Sequence, residues 1–217
     1  MIKIDKTEVF GWEAAIRGMR NPMNSWDKSD SCWEITNTDY GSIYEPVKFV
    51  IGENDLKLMK NLAKAGSDHG KFLRMINVTF DCLAPLYWWK EADTYAVGKV
   101  QNSCSTMHKA HAKDFTLDDF SCEHLINGTS KLILSSVIEL INQYRRQFVA
   151  TNNKEYWWQI IQLLPSSYNQ KRTVQLNYQV LKNMYHARKN HKLDEWHDFC
   201  DWCEGLPYFK ELCIGSE

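Results

Sequence analysis

A chain of 217 residues with 44% hydrophobic and 24% charged side chains has the composition of an ordinary globular protein, large enough to bury a sizeable core. Its formal net charge of −1 supplies no global pull toward nucleic acid or an anionic membrane, so long polyanions are excluded as partners and only a local patch for one phosphate is left. Charged residues from Lys3 to Arg17 break up the amino-terminal stretch, no apolar run reaches the roughly 18 residues of a membrane helix, and seven cysteines fall in no regular framework. These features predict a cytoplasmic protein with free thiols, no signal peptide and no membrane segment.

In chain order, MIKIDKTEVF alternates well enough for a first strand, and GWEAAIRGMRN follows as a helix. Residues 21–42 are crowded with Asn, Asp and Ser and read as a long loop, a kind of segment that often carries function. PVKFVIG reads as a strand. ENDLKLMKNLAKAG is a helix with Leu56, Met59, Leu62 and Ala63 spaced for one face, Asn54 or Asp55 as its cap and Gly66 at its end. Next, Ile76, Val78 and Phe80 alternate with Asn77, Thr79 and Asp81, which predicts a half-buried strand ended by Ala84-Pro85. LYWWKEADTYAVG predicts a short helix that Pro85 begins and Gly98 closes.

AHAKDFTLDDFSCEHLING reads as a loop with short helical turns. The longest helix pattern is SKLILSSVIELINQYRRQFVATN, in which Leu134, Val137, Ile138, Ile141, Tyr144 and Phe148 form one stripe, the mark of a core helix. KEYWWQIIQLLPSSYNQ makes another helix stopped by Pro165, RTVQLNYQVLKNMYHARKN is helical again, and KLDEWHDFCDWCEGLPYF ends as a helix broken at Gly205 and Pro207. Nine Trp, ten Tyr and nine Phe exceed what a core of this size needs, which makes Trp88-Trp89 and Trp157-Trp158 candidates for an interface or pocket wall, with core packing expected for at least half of them. No internal repeat or linker interrupts the chain, so residues 1–217 read as a single α+β domain with a central β-sheet flanked by helices.

One short run carries the polar chemistry. In NSCSTMHK, from Asn102 to Lys109, six of eight residues bear a hydroxyl, amide, thiol or imidazole, the inventory for hydrogen-bonding a polar ligand; a plain surface turn is the alternative. Cys104 with His108 offers a nucleophile and base. His197, Cys200, Cys203 and Cys213 offer soft metal ligands, as do Cys104, His108, His111, Cys122 and His124, but no second Cys-x-x-Cys completes a structural zinc set. Spacing of three on a helix also marks an apolar face, where free Cys is a small buried hydrophobe, so no metal is assigned.

The segment from Leu163 to Phe199 resembles the C-terminal part of the flavin-dependent thymidylate synthases, with a Leu-Pro, a Thr-x-x-x-Asn at Thr173 and Asn177, and a helix carrying Asn183 and Arg188, in that order. The pieces around AGSDHGKF and Ala84-Pro85 resemble the centre of the same family, so the likeness runs from about Leu56 to Phe199 with an insertion between. The resemblance implies that Asn177 and Asn183 bind FAD and that Arg188 binds and activates a pyrimidine nucleotide, its planar fork suited to a phosphate or a ring carbonyl. Asn177 and Arg188, eleven residues apart, would project from one helix face. Asn102 and Ser105 fall where the family has Asn and Ser in its Asn-Glu-x-Ser-x-Arg-Tyr signature, which lines the dUMP site, with Ser103 in place of the Glu. It further implies a homotetramer, since each site in that family is built from several subunits, and a source among bacteria or their viruses, where the family is widespread.

The departures from the family pattern are specific. Its Arg-His-Arg falls near Thr94-Tyr95-Ala96, which puts Tyr95 among the substrate-side residues, and no Arg lies between Arg74 and Arg145. Met107-His108 replaces the final Arg-Tyr of the signature, and Ile161 stands where an Arg precedes the Leu-Pro. Losing such contacts costs roughly 1.5–3 kcal/mol for each charged hydrogen bond, unless Lys90, Lys99 and Lys109 replace them. Two readings follow: an enzyme passing a one-carbon unit to deoxyuridylate or a related nucleotide with flavin, and a binding protein that keeps the fold to sequester or sense a nucleotide without turnover.

Overall fold

The computed structural model describes residues 1–35, 47–109 and 111–215, without the side chains of Ile35, Val47, Lys48, His108 and Lys109. Strand β1 (Lys3–Phe10) leads into helix α1 (Trp12–Arg20), the short strands β2 (Cys32–Ile35) and β3 (Val47–Val50), and helix α2 (Glu53–Lys64). Strand β4 (Asn77–Pro85), helix α3 (Leu86–Ala92), strand β5 (Val100–Ser103) and the one-turn helix α4 (Thr106–Lys109) follow. The long helix α5 (Gly128–Thr151), helix α6 (Lys154–Leu163), strand β6 (Asn169–Asn177), and helices α7 (Tyr178–Arg188) and α8 (Asp194–Glu204) complete the fold. The main sheet has strand order β1-β4-β6-β5, and β2 pairs with β3 as a separate antiparallel ribbon. This is an α+β architecture. Of the loop read over residues 21–42, residues 36–42 lie outside the described part; Cys32–Ile35 within it is strand, not loop.

The chain divides into two compact units, each assembled from separated stretches. The first takes Met1–Thr7, Thr79–Gln175 and Asn190–Phe199. Strand β4 obeys period two: the even positions from Val78 to Ala84 are buried and the odd ones from Asn77 to Leu83 half-buried, as the alternation predicts. Pro85 has no N–H to give a ladder, and the chain turns there into α3, whose first two N–H groups donate to Tyr168 O and Ser166 O at 3.0 Å each. That helix is shorter than predicted, ending at Ala92 and not near Gly98. Trp88 and Trp89 are buried in it, edge-on to each other and with Trp88 packed on Trp196 and Phe199, whereas Trp158 is exposed.

Helices α5 and α6 form an antiparallel hairpin that turns on Asn152, in the left-handed region (φ 52°), and Asn153, whose side chain accepts from Glu155 N. Between them Phe115, Phe120, Ile138, Ile141 and Ile160 build a small core, with the rest of the predicted stripe packed against it. Asn142, buried within α5, accepts from Phe115 N (2.8 Å) and donates to Phe115 O (2.9 Å), satisfying both backbone groups of the loop that crosses it. The helix is not wholly internal: Leu132, Ile133, Leu140 and Val149 are exposed.

The second unit takes Glu8–Val78, Leu176–Lys189 and Cys200–Glu217, described as far as Gly215. Its polar centre is a buried ion pair, Arg20 Nε to Asp55 Oδ1 at 2.6 Å. The other Asp55 oxygen accepts from Ser29 Oγ, Ser31 Oγ and the N–H groups of Asp30 and Ser31, while Arg20 also holds Ser25 O and Lys28 O. The polar loop of the sequence reading is thus pinned by one buried pair. Asp55 does not cap α2; Asp30 does, accepting from the N–H groups of Asn54 and Asp55. A Cβ at Gly52 would lie 2.2 Å from Asp30 Cγ, so only glycine leaves room for that cap.

The clearest departure from the sequence reading is at Asn169–Asn177, expected to lie within or beside helices and found as strand β6. The physical reason lies in its pattern: Gln170, Val174 and Leu176 are buried while Lys171, Thr173 and Gln175 are exposed, a period of two that the helix-forming residues after Asn177 obscure.

Candidate functional site

The residues singled out by the sequence fall on two structural features, one in each unit. In the first unit, β5 runs along the edge of the sheet and pairs antiparallel with β6, with Val100 opposite Gln175, Gln101 opposite Val174, Asn102 opposite Thr173 and Ser103 opposite Arg172. Beyond it Cys104 N donates to Lys171 O (2.9 Å) and Gln170 Nε2 donates to Cys104 O (2.8 Å), which fixes the register. Opposed residues share a face and neighbours alternate, so this ladder splits the polar run. Asn102 lies on the face of Thr173, whose hydroxyl donates to Asp81 Oδ1 (2.6 Å) beside the Lys171–Asp81 ion pair (2.8 Å). Ser103 lies on the other face with Arg172. The register therefore brings Asn102 and Thr173 together and separates Asn102 from Ser103.

The Arg172 face is a network. Its guanidinium donates to both oxygens of Asp93 (2.8 and 3.1 Å), its Nε donates to Gln170 Oε1 (3.0 Å), and its carbon lies 4.2 Å from the ring centroid of buried Trp89. Trp89 in turn donates to Gln170 O. Asp93 also accepts from Lys99 Nζ and from Gln101 Nε2 (2.8 Å). Burial by itself would raise the Asp93 pKa, but the bonds from Gln101 and Arg172 and the charge of Lys99 outweigh it and hold the carboxyl below its ordinary value. Lys99, proposed as a stand-in cation, donates to Ala92 O and Asp93 with its side chain almost wholly buried, and burial lowers its pKa. Arg172 had a sequence signal, a charge in a strand-like alternation, that a helical assignment hid.

Tyr95 is half-buried with its ring edge-on to Trp196 (6.4 Å), and Ser105 is half-buried just ahead of α4. Cys104 is exposed and precedes that helix, so it is not one turn along a shared helix from His108; the side chains of His108 and Lys109 lie outside the described part. Among the described residues no group of three or more His, Cys, Asp or Glu side chains could hold a metal ion. Cys200, Cys203 and Cys213 are buried, and burial pushes the Cys200 thiol up to about 11 and the Cys213 thiol up to about 12. They are core thiols.

In the second unit Asn177, Asn183 and Arg188 mark the start, middle and end of α7. Asn177 is not on the helix face. It is the last residue of β6 and the N-cap, its side-chain oxygen accepting from Val180 N at 3.1 Å. Asn183 is exposed and its oxygen accepts from Gln179 Nε2 (3.0 Å), one turn earlier. In both, the carbonyl oxygen is engaged and the amide N–H groups are the remaining donors. Arg188 ends the helix, half-buried.

No model of a protein family matches the sequence, and no curated protein does. The fold itself has relatives. The architecture described above resembles that of solved flavin-dependent thymidylate synthases. The crystal structure of flavin-dependent thymidylate synthase ThyX from Helicobacter pylori, complexed with FAD and dUMP, matches with a TM-score of 0.67 at 15% sequence identity, over 97% of this chain and 97% of that one. A second crystal structure of Thymidylate Synthase X from Helicobacter pylori, also with FAD and dUMP, gives a TM-score of 0.67 at 15% identity over 98% of this chain and 97% of the other. Among the described residues, no helix is long and apolar enough to cross a membrane.

Proposed function

We propose that this protein binds a pyrimidine nucleotide on the flavin-dependent thymidylate synthase fold. The observation that carries the reading is the end-to-end likeness to a protein that holds FAD and dUMP, with no large part of either chain left over. On this reading Tyr95, Ser105 and Arg188 serve the nucleotide together with Asn102 or Ser103, according to which face of the edge strand β5 it meets, Arg188 gripping a phosphate or polarising a ring carbonyl.

Asn177 and Asn183 are the residues that would hold FAD, through the amide donors that their cap and helix bonds leave over. When bound, flavin supplies a hydride; the protein's part is to orient the nucleotide and keep water away. The alternative, a nucleotide-binding protein without turnover, is favoured by one observation. The cations around the Asn102 strand, Lys99, Lys171 and Arg172, each already sit in an ion pair with Asp93 or Asp81. A homotetramer belongs to the same proposal, with the exposed Leu132, Ile133 and Leu140 of α5 as apolar surface for it; sedimentation giving a monomer would remove that part.

The visible absorption spectrum of the purified protein, repeated with added FAD, and the melting temperature with and without dUMP test the reading. A bound-flavin spectrum with dUMP stabilisation supports the enzyme and justifies an assay for deoxyuridylate methylation. Stabilisation by dUMP without flavin supports the binding protein, and indifference to both ligands sinks the nucleotide assignment.

A further inference from the structure

We propose that the second unit carries a separate ligand site, an aromatic cavity for a small organic monocation of the alkylated-ammonium class; the proposal does not rest on the nucleotide reading. The cavity, of about 880 Å³, is of small-molecule size, and none of the candidate nucleotide or flavin residues lines it. One side is the start of α1, where Trp12 stands edge-on to Tyr208, centroids 5.6 Å apart. Another is the β2–β3 ribbon, where the cross-strand neighbours Trp33 and Phe49 meet edge-on at 5.0 Å. Trp33 is 57% exposed, an uncommon state for a tryptophan.

Two backbone specials shape this wall. Gly11 has φ +93° and a Cβ there would meet Met75 O at 2.2 Å, so the chain enters α1 only through glycine. Tyr208 holds φ +56°, a conformation that costs an aromatic residue energy and that places its ring in the cavity.

Charge selects the occupant. The lining carries Glu13, Glu211 and Arg17. Arg17 is paired with Glu13 at 3.1 Å, and Glu13 also sits in the first turn of α1, where it offsets the positive helix end that would otherwise draw an anion. Glu211 has no ion pair among the described residues, although Lys60, Lys64 and Lys182 border the adjoining pocket on its other side, so the lining of the aromatic cavity itself carries two carboxylates against one guanidinium. Ring faces attract cations that lie within about 6 Å, and an alkylated ammonium satisfies faces and carboxylate together.

Calorimetric titration of the full chain with choline chloride, and in parallel with its neutral isostere 3,3-dimethylbutan-1-ol, tests the proposal. Choline is expected to bind saturably and the alcohol about ten-fold more weakly. Trp33→Ala should weaken choline by about ten-fold, and Glu211→Gln by about three-fold or more, with melting temperatures unchanged because both side chains are exposed. Equal binding of the alcohol, no choline binding, unchanged choline affinity in Trp33→Ala, or displacement of choline by inorganic phosphate overturns it. Should Glu211→Gln not fold, Trp33→Ala decides alone.

Discussion

Arg20 and Asp55 have the most to lose from a single substitution. The pair is 4% and 0% exposed, and the aspartate accepts from four other donors besides the arginine, so its charge is compensated in full. Removing one partner strands the other: Asp55→Ala should cost about 3–5 kcal/mol, read as a shift in the urea midpoint. Burial alone would raise the Asp55 pKa, yet the Ser31 and Ser29 hydroxyls and the Arg20 guanidinium together hold it below the ordinary value. A carboxylate so depressed contributes stability above its unfolded pKa of about 3.9 and loses it as the pH falls through the folded value. Stability should therefore drop on acidification below about pH 4, and less steeply in Asp55→Asn than in the natural chain. Arg188→Ala is the corresponding functional test: it should weaken dUMP binding by about 1.5–3 kcal/mol without unfolding the protein, and unchanged affinity removes that residue from the site.

Elements were legible where one period dominated. The β4 alternation, the α5 stripe and the Pro85 break were each plain in sequence, because a single face is buried in each. Asn169–Asn177 was not legible, since nine residues of alternation run directly into good helix formers without Gly or Pro between them. The punctuation is Asn177 itself, an N-cap, and it was read for a ligand role instead of a boundary. The two roles separate by mutation. Asn177→Ser keeps a cap oxygen but removes the amide donors, so the melting temperature should hold while FAD affinity falls; Asn177→Ala should lose about 1 kcal/mol of stability as well. Asn102 and Ser103 show the complementary limit. Their residue types were informative, but which face each takes depends on a pairing partner some seventy positions away, at Thr173 and Arg172.

For the molecule as a whole, the cysteines report its integrity. Cys82, Cys200, Cys203 and Cys213 are buried, while Cys32 and Cys104 are exposed and Cys122 is intermediate. Burial pushes all four core thiols above their ordinary pKa, most strongly Cys82 and Cys203. With a thiol reagent at neutral pH, Cys32 and Cys104 should react fast, Cys122 more slowly, and the other four only at denaturant concentrations that unfold the chain. Rapid modification of Cys200 or Cys203 in the native state would contradict the packing around α8.

The ladder between β5 and β6 also constrains how this sequence can change length. Residues 94–98 form a turn whose length can drift by one residue, because Cys104 and Gln170 re-anchor the strand beyond it. A deletion within Val100–Ser103 has no such freedom. It would exchange inside for outside along the rest of the strand, turning the Asn102 position toward Arg172 and the Ser103 position toward Thr173. Length variation among natural variants of this protein should therefore gather before Val100 and be absent from the four residues that follow.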